Sequence, residues 1–365
     1  MRTPSPRSPR LRELGLRIGR FEAGQANAIT DVAGVAVGHV TIWRDEPEPP
    51  DGRGVARTGV TAILPAPIET LCAAPVPAGM AVLNGAGELT GSLAIAEWGL
   101  LETPVYLTST HAVGRVYDGA VQVAVEADPS VGADYVVIPV VGECDDSWLS
   151  EARVVQIEAG DTRRAVAAAT TGAVPEGAIG AGTGMMTKGF KAGIGTSSRV
   201  VPSLPGALGV LVLANFDPPP GLVVDGVHVG DALSAPPVGR RSAAGSCIAV
   251  IAVGAPLSAH QLERVARRAS LGLARCGSVA HNGSGEIFVA FGPPGRRPRG
   301  EAPLASVPDS DLNDVFEAVV DATEEAVLNA LWAAPEVVGR EGRVGHALPH
   351  DDVLEILAAH GRLER

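Results

Sequence analysis

The sequence is short of aromatic residues, of cysteine and of positive charge. Phe, Trp and Tyr together make up only 4% of its 365 residues, against 45 glycines, 29 prolines and a hydrophobic share of 46%. An interior built from these residues must be filled by small aliphatic side chains and turned by many tight bends. The cysteines, Cys72, Cys144, Cys247 and Cys276, have no CxxC spacing and are too sparse for a disulfide framework. They point to a reducing compartment, and a cytoplasmic location is expected. A formal net charge of −12 leaves no cation surplus to neutralise phosphates, so a nucleic-acid partner is not expected. No apolar run approaches the roughly 18 residues of a membrane span, so no membrane partner is expected. Residues 1–17 are basic and Pro/Ser-rich and lack the apolar stretch of a secretory signal. Residues 1–15 read as a disordered, frayed tail, with a single domain over 16–365.

Cofactor motifs are missing as well. In GAGTGMMTKG (180–189), Met185 stands where a dinucleotide fingerprint needs its third glycine, and GxxxxGK[ST] does not occur. There is no HExxH, and His346 and His350 (HALPH) are separated by a proline that opposes a helical pair of ligands. Neither a metal nor an organic cofactor is expected.

What is present is a mixture of short apolar runs and amphipathic stretches. Residues 58–65, 134–141, 208–214, 247–253 and 286–291 read as strands. Helical spacing is found over 86–98, 112–126, 149–171, 258–275, 309–332 and 351–360, with Asp309 or Ser310 as the cap of the long one. The elements alternate without a regular βαβ period. That favours a layered α/β fold with helices outside stacked sheets.

The sharpest break in composition lies at Gly245–Ser246. A Pro/Gly-rich, linker-like segment (216–245) ends there, and the apolar run CIAVIAV begins one residue later. A serine after a small residue can attack its own preceding carbonyl, and glycine tolerates the strained geometry this needs. Once freed, Ser246 carries a hydroxyl and an α-amine. An amine with a reference pKa near 8 can serve as the local base in place of a histidine. Asn215 ends the buried run LGVLVLA (208–214), where a side-chain amide can hold an oxyanion. In HNGSGEIF, Ser284 and Glu286 stand two apart at a strand entrance. That spacing turns both to one face as a possible hydroxyl–carboxylate relay.

These residues resemble the L-aminopeptidase/D-esterase family, which includes the β-peptidyl aminopeptidases. The resemblance is carried in order by NAITDVAGVAVGHVT (27–41), RTGVTAILP (57–65), LNGAGELTG (83–91), ETPVYLTSTHAVG (102–114), GAGTGMMTKGFKAGIGTSSR (180–199), GVLVLAN (209–215), GSCIAVIAVGAPL (245–257), GSGEIFVAF (283–291) and HALPHD (346–351). It implies a four-layer αββα sandwich of the N-terminal-nucleophile type with distinct connectivity. It implies a precursor that cuts itself between Gly245 and Ser246 into chains 1–245 and 246–365, and four such pairs assembling together. The substrate implied is a small peptide, amide or ester with a free amine. Ser246 falls on the nucleophile, Asn215 on the oxyanion amide, and Ser284 and Glu286 on the Ser-x-Glu pair. Glu143 falls on a carboxylate near the substrate's amine. One position departs. The family's Glu-x-Tyr becomes Glu143-Cys144-Asp145, so the oxyanion loses a tyrosine hydroxyl and gains a repelling carboxylate nearby. Trp148 can fill the space but supplies no hydroxyl. Two other outcomes fit the residues less well: an acyltransferase of similar fold, although those of the ornithine acetyltransferase kind use threonine at the cut, and a processed but inactive binding protein.

Overall fold

Strand Ser246–Val253 is buried at every position, as a strand covered on both faces must be. In the computed structural model, which describes residues 9–216, 221–233, 245–293 and 306–363, this strand lies inside a six-stranded sheet. It pairs antiparallel with Ala207–Asn215 and parallel with Gly285–Phe291. Val76–Gly85 and Leu100–Leu101 extend the sheet beyond Gly285–Phe291, and Ile194–Val200 extends it on the other side. A second sheet has four strands, in the order Ala36–Asp45, Val55–Leu64, Val105–Ser109 and Val140–Cys144.

Side-chain alternation builds the layers. From the central strand, Cys247, Ala249, Ile251 and Val253 pack towards helices Ala259–Arg275 and Leu312–Trp332. Ile248, Val250 and Ala252 point the other way, to meet Leu107, Val140 and Cys144 of the four-stranded sheet. The outer face of that sheet is covered by Val113–Ala127 and Ala159–Ala167. The result is helix, sheet, sheet, helix. Small residues bring the layers to backbone contact. A Cβ on Gly195 would stand 1.9 Å from the Ala326 carbonyl oxygen, and one on Gly182 would stand 2.4 Å from the Ile194 nitrogen. Gly182 and Gly195 of the 177–195 stretch are therefore there for close packing.

Several elements differ from the sequence expectation. The strand expected over 134–141 forms instead at Val140–Cys144, after Pro139, and this shift puts Glu143 on a strand. The helix expected over 149–171 shrinks to Ala159–Ala167. The residues before it are tied down by Glu151, which accepts from the backbone and guanidinium of Arg153. The helix expected over 86–98 covers only Ser92–Trp98, because Gly91 adopts φ +72°. Of its expected apolar positions, Leu89 and Ile95 are buried, whereas Leu93 and Trp98 are exposed. The long helix is preceded by a 3-10 turn, Asp309–Asp311, and Asp309 accepts from Gln261 and Arg264 of the neighbouring helix rather than capping its own. Of the expected tail, residues 1–8 lie outside the described residues, but from Arg10 the chain is packed. The Arg10 guanidinium donates to the carbonyls of Asn27 (2.9 Å) and Thr196 (2.6 Å) and to Glu176 (2.8 Å), and Leu11 is buried. Of the linker-like segment, 217–220 and 234–244 lie outside the described residues.

Candidate active site

The two strands that meet at the composition break deliver the central pair. Ser246 is the first residue of its strand, and Asn215, the last of the adjacent antiparallel strand, stands directly opposite. Opposed residues share a face, and alternation from Leu213 and Ile248 makes that face the one between the sheets. The Ser246 hydroxyl donates to the Gly245 carbonyl oxygen at 2.7 Å, so it is held against the peptide unit preceding it. The Gly285 N–H donates to the same oxygen at 3.0 Å.

Asn215 is oriented from both ends. Its Oδ1 accepts the Met186 N–H at 2.9 Å, and its Nδ2 donates to the Asp145 carbonyl at 2.9 Å. A backbone N–H can face only the oxygen and a carbonyl only the nitrogen, so the amide has one orientation. The aspartate at the position of the family's tyrosine thus contributes its main chain to the site. Its carboxylate accepts the Ser147 N–H at 2.8 Å. Trp148 is not among the residues that line the cavity beside Ser246. It lies under the Arg343 guanidinium, 4.6 Å from its ring centre, beside Leu149, Met186 and Val337.

Glu143 reaches the site from the four-stranded sheet. Its Oε1 accepts the Glu88 N–H at 3.0 Å, and its Oε2 accepts the Thr110 hydroxyl. Burial raises its pKa, against the pull of those two donors. Gly87 separates it from the serine: a Cβ there would stand 3.2 Å from Glu143 Oε1 and 3.8 Å from Ser246 Oγ. A cavity of about 490 Å³ opens onto this group, lined by Gly245, Ser246, Gly87, Glu143 and Asp145 among others.

Ser284 donates to Glu286, and both are fully buried. They flank Gly285, the residue in register with Ser246. Alternation therefore turns them to the sheet face opposite the Ser246 hydroxyl. Neither is among the residues that line the cavity. The histidines of HALPH are engaged elsewhere: His346 contacts Glu336 at 3.0 Å, and His350 stacks on Trp332. Among the described residues no three His, Cys, Asp or Glu side chains gather as a metal ion would require.

Thr110, the Gly87–Glu88 backbone and Asp146 also belong to this group, without a motif that marks them. Asp146 lines the same cavity but is buried, and its Oδ2 has no hydrogen-bond partner among the described residues. Burial, with the Asp145 charge nearby, pushes its pKa up to about 7, and the Thr58 hydroxyl opposes this only partly. The folded chain thus keeps a proton that an unfolded aspartate, near 3.9, has lost. Stability from this group is present below about pH 4 and falls as pH rises towards 7, by about 4 kcal/mol at most. Asp146→Asn should remove that decline. Urea midpoints at pH 5 and pH 8 should differ less in the variant than in the wild type, and an unchanged difference would refute the assignment.

A sequence profile of peptidase family S58 matches residues 27–345. The chain is 39% identical to the β-peptidyl aminopeptidase BapA of Sphingosinicella microcystinivorans, over 98% of this chain and 94% of that one. The solved structure of the L-aminopeptidase D-Ala-esterase/amidase of Ochrobactrum anthropi, described as a prototype serine aminopeptidase and a variant of the Ntn hydrolase fold, superposes with a TM-score of 0.89. Identity is 38%, covering 98% of this chain and all of that one. A β-aminopeptidase from Burkholderia sp. gives a TM-score of 0.86 at 38% identity, covering 97% and 99% of the two chains.

Proposed function

The chain belongs to peptidase family S58, and from that membership we propose a serine aminopeptidase/amidase that matures by cutting its own Gly245–Ser246 bond. It then releases the N-terminal residue of short peptides, amides or esters. The observation that carries this reading is the Ser246 hydroxyl, hydrogen-bonded to the carbonyl of the bond to be cut and opposite the Asn215 amide. In maturation, Oγ adds to the Gly245 carbonyl carbon and the C–N bond breaks. The nitrogen takes the proton, leaving an ester on Oγ. Water then hydrolyses the ester to a Gly245 carboxylate and a free Ser246 amine. The Gly285 N–H, already on the Gly245 oxygen, is in position to hold the charge that develops there.

In turnover, Oγ attacks the substrate's acyl carbon and the α-amine of Ser246 takes the hydroxyl proton. Asn215 Nδ2 faces the tetrahedral oxyanion. The amine returns the proton to the leaving group, and water hydrolyses the acyl-enzyme. The buried Ser284–Glu286 pair supports the main chain of the nucleophile from behind. Glu143 binds the substrate's ammonium, whose charge draws the raised pKa of the carboxyl back down. Exposed Val82, Leu83, Leu93 and Trp98, on a strand and helix that pack together, support assembly of several copies. Four buried cysteines outside any disulfide fit a cytoplasmic setting.

The test is a panel of p-nitroanilides of L-, D- and β-amino acids, each with its amine free or acetylated. Acetylation should lower kcat/KM about 100-fold or more, because Glu143 is then left buried without its partner. Glu143→Gln should raise KM for the free amines and narrow that gap. Equal turnover of free and blocked substrates would defeat the aminopeptidase reading.

A further inference from the structure

Lys191 is fully buried, and its ammonium donates to three main-chain carbonyls: Ala192 at 2.6 Å, Met185 at 2.8 Å and Gly182 at 3.0 Å. Burying an ammonium is costly, and three carbonyl bonds in a glycine-rich turn are an expensive way to fix a loop that an apolar residue could pack. The Met185 carbonyl belongs to the peptide unit whose N–H, on Met186, donates to Asn215 Oδ1 at 2.9 Å. One peptide plane therefore connects a buried cation to the oxyanion amide.

We infer that Lys191 is a positioning residue that orients and polarises Asn215 through the Met185–Met186 peptide. This rests on the reading of Asn215 as the oxyanion donor. A cation on a peptide oxygen draws density from the N–H and makes it a stronger donor, and hydrogen bonds in series strengthen one another. The Met186 N–H then pulls harder on Asn215 Oδ1, and Asn215 Nδ2 becomes the better donor. The same bonds hold the peptide plane still. Ala192 N–H also donates to the Met185 carbonyl, at 3.1 Å, and Lys191 N–H is anchored on the His346 carbonyl at 2.7 Å. The cation remains remote from substrate, and its effect belongs to the state in which negative charge appears on the acyl oxygen.

The test is a double-mutant cycle of wild type, Lys191→Met, Asn215→Ala and the double variant. Turnover of an amino-acid p-nitroanilide is normalised to the processed chain by denaturing mass spectrometry. Lys191→Met should lower kcat about 10- to 100-fold with KM within about two-fold, as expected for a group acting through an oxyanion donor. In the Asn215→Ala background the same change should cost less than about three-fold, because the relay has lost its endpoint. Effects that multiply would overturn the relay and leave Lys191 a structural residue. If Asn215→Ala alone leaves kcat unchanged, the underlying oxyanion reading fails instead. Should Lys191→Met not fold, the cycle is run with Lys191→Gln, which keeps a donor for the carbonyls but not the charge, and its outcomes read the same way.

Discussion

Ser246→Ala should give one uncut chain of 37.2 kDa on denaturing mass spectrometry, where the wild type should give two. Amide turnover falls at least ~10³-fold, the scale of losing a nucleophile while the rest of the site persists. Both losses follow from one atom. The hydroxyl that donates to the Gly245 carbonyl is the group that must add to its carbon. Alanine keeps the strand, its register and its apolar neighbours, and deletes a single hydrogen bond worth ~1 kcal/mol. The variant should therefore melt within about 3 °C of the uncut precursor, so a missing cut cannot be blamed on misfolding. A variant that still appears as two chains would refute the proposed maturation. Two chains in the wild type without turnover of any free-amine substrate would separate maturation from catalysis.

Asn215→Ala should lower kcat by ~10²–10³-fold, the usual loss on removing one oxyanion donor, with KM changed much less. Where the resemblance implies a tyrosine hydroxyl, this chain has the Asp145 main chain holding Asn215, so on the proposed reading more of the oxyanion's stabilisation falls on this one amide. The substitution also strands the Met186 N–H and the Asp145 carbonyl. Leaving buried polar groups unpaired costs ~1–3 kcal/mol each, so a lower melting temperature is part of the expectation. The decisive reading is kcat per folded, processed molecule. A variant with lower Tm and wild-type kcat would make Asn215 a structural strut.

The proposed nucleophile is legible as a discontinuity: a linker-like segment ends at Gly245, and a fully buried strand starts at Ser246. Asn215 was legible because it closes an unbroken apolar run. That the two stand opposite each other was not, since register is fixed by the face each strand buries and not by either strand alone. Glu143 was reached through resemblance only. The expected strand stopped at 141, and Pro139 moves it onto 140–144. Thr110, Gly87, Asp146 and Lys191 left no local signal. Their roles come from neighbours such as Glu143 and Gly182, which the fold brings to them. Two of the four apolar positions expected over 86–98, Leu93 and Trp98, failed in the opposite direction, while Leu89 and Ile95 are buried. Their helical spacing is real, but periodicity does not say whether anything covers the face.

Under the proposed maturation, the hydrogen bond from Gly285 to Gly245 imposes an order of events. Before the cut, that main-chain donor is occupied by the chain's own acyl group, and an incoming ester or amide finds the berth taken. Severing the bond frees the occupant and makes the donor available to a guest. Dormancy and activation are thus two tenancies of one N–H, and the precursor needs no separate inhibitory segment to stay silent until it matures.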